Sequence, residues 1–390
     1  MILWLVRVLL TLLLISDAGS RAHAHDPSSY GGLFRSRNFG GTWLNADTGL
    51  FLNAALAVAV DPRDPNHLLL GTDSGLLGST NGGRSWKDEG QGLILGPVFA
   101  VAFSPDGKSA VCTAPGGVFR LDEARWSRAS APAGAAPARQ IVFGDADRIY
   151  LLGHGGLYVS IDHGEGYRPV PLGAAGAAQI SSLTVTHAPG ESLLAIVDGK
   201  LMASENGDTA WRPLVIGKVN APVDTMTFDA THADRRWAAS ADQIYMSDDL
   251  GVHWRAVGRK LPEPQTNVRG IAADASGSTL VVTTHRGLYR SVDGGATWEL
   301  KEGNLPIHLE AGPLARDPQD AQTLYAVYSL MPYAVVWQTA LEGGNLLSRT
   351  DPISLAGGLA FVALLFLIGV LLVGWLQRRR GAVATRGGAT

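Results

Sequence analysis

Residues 268–300 read VRGIAADASGSTLVVTTHRGLYRSVDGGATWEL. Apolar and β-branched residues come in short runs, and Asp, Ser and Gly separate them, which is the pattern of short antiparallel strands joined by tight turns. The stretch predicts a strand over 268–273, a turn at DASG, a strand over 279–284, a short loop, a strand over 287–291, a second turn and a strand over 297–300. The second turn, SVDGGATW at 291–298, is the part that recurs, and is termed the box below.

Outward from this stretch, the box returns as SRNFGGTW at 36–43 and STNGGRSW at 79–86. Weaker copies are SIDHGEGY at 160–167, SENGDTAW at 204–211 and SDDLGVHW at 247–254, and a shortened one, RLDEARW, runs from Arg120 to Trp126. Successive serines lie 43 or 44 residues apart, and the 81 residues from Ser79 to Ser160 are two periods with the shortened copy between. Six of the ten tryptophans end a copy, so the repeat is not a chance of composition. Four short strands in a period of about 43 residues form one blade of a β-propeller. First strands begin near Leu56, Val98, Gln140, Ser181, Val223, Val268 and Ala311, which predicts seven blades. The N-terminal piece 30–46 holds only a third strand, a box and a fourth strand, while 311–328 holds a first and second strand. Joined, they make a composite blade that closes the ring and leaves no free edge. VVWQTALEGG at 335–344 is a rival third strand for that blade.

Turn chemistry explains the box. A short Asp or Asn side chain accepts hydrogen bonds from the amides of its own turn, Gly permits positive φ, and an indole supplies a large apolar face. Ser36, Asn38, Trp43, Ser79, Asn81, Trp86, Asp162, Trp211, Asp249, Trp254, Ser291, Asp293 and Trp298 are accordingly assigned structural roles, with no catalytic residue among them. Recurring once per blade, the carboxylates would be spread around a rim, whereas glycosidic acid–base pairs stand about 5–9.5 Å apart. A buried indole at Trp298 predicts a loss of about 3–5 kcal/mol on truncation to Ala.

These turns resemble the Asp-box, or BNR, repeat, over nearly all of residues 30–344. Three families with such repeats are similar in different ways. The resemblance to photosystem II stability/assembly factors implies a seven-bladed propeller that binds partner proteins at an outer membrane face. Sialidases share the box only; their six blades, arginine triad and Arg-Ile-Pro signature have no counterpart here, which sets the hydrolase alternative behind a binding role. Sortilin-type receptors share an outer propeller, one membrane helix and a short tail, but have ten blades and a Cys-rich module. A cluster of Arg, Glu and Tyr in the channel mouth would favour an enzyme.

Residues 1–24 read as a signal peptide, with Arg7, the apolar run Leu9 to Ile15 and a small-x-small site at Ala22-His23-Ala24. The propeller then occupies 25–350. Residues 351–376 contain ISLAGGLAFVALLFLIGVLLVGWL at 353–376, without a charge, and a helix of that length rises ~36 Å, enough to span a bilayer core. Arg378, Arg379 and Arg380 mark the cytoplasmic side, leaving 377–390 as a short inner tail and the propeller outside, in the periplasm or extracellular space.

The formal net charge of −3, with scattered Lys and Arg, argues against a nucleic-acid partner. The single cysteine, Cys112, excludes an internal disulfide and reads as a small buried apolar residue. No cofactor is expected, and no His-x-His or Cys-x-x-Cys cluster marks a metal site; His25, a potential free N-terminus bearing an imidazole, is the one weak metal candidate. Partners are expected to be the membrane and other membrane or periplasmic proteins. Strand connectivity puts box turns and first-to-second-strand turns on one face. The opposite face carries the second-to-third-strand loops, with Asp73, His154, Asp198, Asp242, His285 and Arg286 as candidate partner contacts. His154 and His285 occupy equivalent positions three blades apart, too far around the ring to share a metal.

Overall fold

A computed structural model describes residues 31–343, apart from 123, 146, 172–179, 187–190, 206–210, 215–221, 230, 231, 233 and 265. The chain divides into two compact units, 1–344 and 345–390, of which the second lies outside the described residues. So do the expected signal peptide, His25 and the apolar run 353–376. Among the described residues no helix is long and apolar enough to cross a membrane.

The first unit is an all-β propeller of seven four-stranded antiparallel sheets, with one short α-helix and one 3-10 turn among the described residues. Blade 6, read above, has strands Val268–Ala273, Leu280–Thr284, Gly287–Ser291 and Glu299–Leu300. Blades 1 to 5 begin with first strands Ala55–Val60, Ala100–Phe103, Ala138–Phe143, Ile180–Thr186 and Thr225–Phe228, within two residues of the expected starts. Blade 7 is composite. Its first and second strands, Glu310–Arg316 and Leu324–Ser329, receive Gly32–Ser36 as third strand and Leu44–Asn45 as fourth. Five residue pairs, from Gly32↔Tyr328 to Ser36↔Leu324, zip the chain's two ends together.

The rival closing strand is a helix, Tyr333–Leu341. Pro332 precedes it, and its inward residues, Tyr333, Val336, Trp337 and Ala340, recur at three- and four-residue spacing, a helical period that no strand can present to one side.

The core is a set of wedges. Seven apolar clusters each join a pair of neighbouring blades, and the eighth lies under the helix. Side chains of the second strands serve two wedges in alternation: Leu69 packs toward blade 2, while Leu68 and Leu70 pack toward blade 7. Period-two alternation in a strand buried on both faces permits this division. Cys112 is fully buried in the wedge between blades 1 and 2, where burial pushes its thiol pKa up.

The box turns are built alike. In blade 1, Ser79 Oγ accepts the Gly83 amide at 2.9 Å and donates to Asn81 Oδ1 at 3.0 Å, and Asn81 Oδ1 accepts the Ser85 amide at 2.9 Å. The same three bonds recur at Ser36 and Asn38, Ser160 and Asp162, Ser247 and Asp249, and Ser291 and Asp293. Bonds from Thr297 and Ser291 hold the Asp293 carboxyl at about 2. Two consecutive residues in each of these turns take positive φ, for example Gly82 and Gly83 at 70° and 83°. At the first of them Phe39, His163 and Leu250 tolerate the strained region, so only the second position carries Gly in all five.

Two box expectations are corrected. Trp43 is 1% exposed and Trp254 is also buried, but Trp298, Trp86 and Trp211 are only half-buried, which lowers the expected cost of Trp298→Ala. Trp298 instead hydrogen-bonds the Arg259 carbonyl in the link from blade 5, at 3.0 Å. The shortened copy in blade 2 forms no box at all. Its third and fourth strands, Gly117–Asp122 and Arg125–Arg128, pair directly from Arg125↔Asp122 onward, and Trp126 is buried. In blade 4 most of the box, 206–210, lies outside the described residues.

Candidate binding site at the channel mouth

The two ends of the ring are organised differently. At one end the box turns of blades 1, 5, 6 and 7 each bond the first-to-second-strand turn of their own blade, as in Gly82 N–H to Asn66 O at 2.8 Å and Gly294 N–H to Ser278 O at 2.8 Å. At the other end, second-to-third-strand loops bond the links between blades, as in Val98 N–H to Thr72 O and Leu261 N–H to Asp242 O. First strands start at this second end, and most of them start with a β-bulge.

The bulges fall between Ala55 and Ala57, Ala138 and Gln140, Ile180 and Ser182, Val268 and Gly270, and Ala311 and Leu314. A bulge leaves one residue unpaired and re-aims its side chain. Leu56, Arg139, Ser181, Arg269 and Pro313, the residues so released, all line a cavity of about 510 Å³ in the channel. Phe99 and Asp224, one residue before the first strands of blades 2 and 5, complete the ring.

The helix closes half of this mouth. Trp337 meets Phe99 edge-on with ring centroids 5.0 Å apart, and Val336 and Ala340 bury against Ala54 and Leu56. Tyr333 donates its hydroxyl hydrogen to Ala55 O at 3.1 Å and its amide to Glu310 Oε2 at 3.1 Å. Burial raises the Tyr333 phenol pKa. Glu310 also pairs with Arg269 at 2.8 Å, and the Arg269 guanidinium covers the Tyr333 ring. The helix thus rests on blades 6, 7, 1 and 2, with Arg139 of blade 3 over its Trp337, and Ser181 and Asp224 of blades 4 and 5 rim the rest.

Two charged groups there are differently placed from Arg269. The Arg139 guanidinium lies over the Trp337 ring at 4.4 Å and has no hydrogen-bonding or ionic partner among the described residues; desolvation lowers its pKa. Asp224 receives the Ala241 amide, yet its Oδ2 is buried without a partner, and burial pushes the carboxyl up to about 6. A cleft of about 310 Å³ continues outward past Asp224, lined by Ser181, Asp198, Gly199, Val223 and Asn267.

Of the residues proposed from sequence, all six lie in second-to-third-strand loops at this end, and Asp198 lines the cleft. The other five do not line the cavity or the cleft. Asp242 pairs with Lys260 at 3.0 Å and Arg286 with Glu263 at 2.8 Å. His154 meets Ala133 O at 3.3 Å, and Asp73 accepts the Ser74 hydroxyl at 3.1 Å. His285 Nδ1 is buried without a partner. The reading missed Arg139, Asp224, Arg269, Glu310, Tyr333 and Trp337. Arg139, Asp224 and Arg269 sit where each blade's first strand begins, and comparing that one repeat position across blades would have shown the polar group among apolar neighbours.

An Arg–Glu–Tyr set does meet in the mouth. Its carboxylate is ion-paired and its hydroxyl donated to a backbone carbonyl, so the set fastens the helix. Among the described residues no group of three or more His, Cys, Asp or Glu could hold a metal.

Ring and mouth together define the class: a seven-bladed propeller with a half-capped axial cavity. No family model matches the sequence, and no curated protein does. Solved structures do. YCF48 from Cyanidioschyzon merolae superposes with a TM-score of 0.53 at 16% identity, over 71% of this chain and 97% of that one. YCF48 bound to D1 peptide gives 0.53 at 19% identity, over 72% and 93%. The GH74 xyloglucanase from Xanthomonas campestris gives 0.51 at 19% identity, over 71% of this chain and 53% of that one, so this chain spans about half of that enzyme. At these identities the likeness is one of fold.

Proposed function

We propose that this protein is a non-catalytic binding propeller, anchored at the outer side of a membrane, that docks a segment of another protein across the open half of its channel mouth as an assembly or stability factor. The observation that carries this reading is the mouth itself. One half is sealed by a helix fastened through aromatic, ionic and hydrogen-bonding contacts, while among the described residues the other half and its cleft are open beside Arg139 and Asp224. A propeller of similar fold binds a peptide, which makes a protein segment a reasonable occupant. The anchor rests on sequence: an apolar run at 353–376 followed by three arginines, behind an N-terminal signal segment.

The test is site-directed photo-crosslinking in intact cells. A photoreactive residue at Ser181, exposed on the mouth rim, should yield protein adducts, and one at Thr80, exposed on a box turn, should not. Adducts from Thr80 alone would overturn the assignment of the face. A tag after Thr390 that is protease-accessible in intact cells would overturn the topology. The hydrolase alternative draws on the Arg269–Glu310–Tyr333 cluster. Turnover of a fluorogenic glycoside that Glu310→Gln abolishes would establish it in place of the binding reading.

A further inference from the structure

We propose that the open half of the mouth is a receptor site for the ends of a short peptide, with its terminal carboxylate on Arg139 and its terminal ammonium on Asp224. The inference goes beyond the binding reading above: it names a free short peptide, not a protein segment, as an occupant of the open half.

The unmet valences of the mouth have opposite sign. Arg139 lies over Trp337, and its guanidinium N–H donors have no acceptor among the described residues. A guanidinium edge matches a carboxylate in two parallel bonds. Asp224 Oδ2, buried and without a donor, needs a hydrogen-bond donor, and an ammonium supplies one with charge. Arg269 is the contrasting case, because Glu310 already meets it at 2.8 Å. A purely anionic ligand would satisfy Arg139 and bring like charge to Asp224; a purely cationic one would do the reverse. A ligand carrying both charges satisfies each, and leaving either unmet in a desolvated site is costly.

Size and shape agree. A cavity of about 510 Å³ falls in the range of small-ligand sites, roughly 300–1,000 Å³. Arg139 and Asp224 stand on blades 3 and 5, separated by Ser181 of blade 4, so one ligand must carry its two charges at opposite ends. A short peptide carries its two charges in this way, at its two ends, with about 3.3–3.6 Å of reach per extended residue. Met226 and Thr227 line the cavity beside Asp224, and Met226 offers an apolar wall for its side chains.

Calorimetric titration of the detergent-solubilised 390-residue chain with tri-alanine tests this. Binding is expected, and N-acetylation or C-amidation of the peptide should each weaken it at least about tenfold. The terminal dependence should then vanish selectively. In Asp224→Asn, acetylation should no longer matter, and in Arg139→Gln, amidation should no longer matter, with both variants checked for wild-type unfolding midpoints. If a variant fails to fold, the comparison of free with blocked peptides on the wild-type chain decides alone. Equal binding of free and blocked peptides, or no binding to the folded wild-type chain at about 1 mM, would overturn the inference. Crosslinking of partner proteins at Ser181 would stand or fall separately, so failure here is distinguishable from failure of the binding reading.

Discussion

The two ends of the propeller channel obey different rules. At the box end, five described turns repeat the same three hydrogen bonds, and changing the blade changes almost nothing. At the mouth end, the equivalent positions hold Leu56, Phe99, Arg139, Ser181, Asp224, Arg269 and Pro313, and no two neighbours are alike. A feature repeated in every blade serves what every blade must do, which is to fold and stack. A position that varies around the ring is freed from that duty and available for recognition. Substitutions at the first end should therefore cost stability, and substitutions at the second should cost binding.

The largest expected effect is at Trp43, wholly buried between blades 6 and 7. Trp43→Ala should lower unfolding free energy by about 3–5 kcal/mol in urea titrations, and a loss under about 1 kcal/mol would break the contrast between the ends. Next comes Asp47, buried where blade 7 leads into blade 1. It accepts the Leu33 amide at 3.0 Å, but Oδ1 has no partner, and burial raises its pKa to about 6. The folded state therefore favours the protonated acid. This contribution is fully present below about pH 4 and is lost as pH rises through about 6, an amount of roughly 2–3 kcal/mol. Asp47→Asn should flatten that part of the pH–stability profile, and an unchanged slope between pH 4 and 6 would count against the buried acid.

Trp298→Ala, at a half-buried indole, should cost about 1–2 kcal/mol, and comparison with Trp43→Ala measures how far burial rather than the box itself sets the loss. Ser79→Ala removes one acceptor and one donor from a turn and should cost about 1 kcal/mol. Smallest is Arg139→Gln, expected within about 0.5 kcal/mol of wild type in unfolding, since the guanidinium has no described polar partner to lose. A large destabilisation there would mean that the mouth is structural after all.

This division also explains what could be read from the sequence. The seven blades, the composite closure and the box hydrogen bonds follow from a period of about 43 residues and from residues with a single strong reason to recur, such as Gly83 at φ 83°. The degree of burial of the indoles did not follow, because how far Trp298 is covered depends on its contact with the link from blade 5, which has no repeat signature. The helix was legible in principle through the spacing of Tyr333, Val336, Trp337 and Ala340, but Val, Trp and Thr in VVWQTALEGG also favour strands. The mouth residues were hardest. Arg139 and Arg269 are each released by a local bulge, which depends on pairing register, and register is not written in any single residue.

The closure by Gly32–Ser36 has a consequence for biosynthesis. That segment is made almost three hundred residues before its partner Leu324–Ser329. Throughout elongation the nascent chain carries a strand whose edge toward Leu324–Ser329 is bare, and the circle cannot lock until synthesis is nearly done. Contacts this distant in sequence slow the final step and expose pairing edges to neighbours, so the finished molecule owes its last join to whatever keeps that early strand from aggregating.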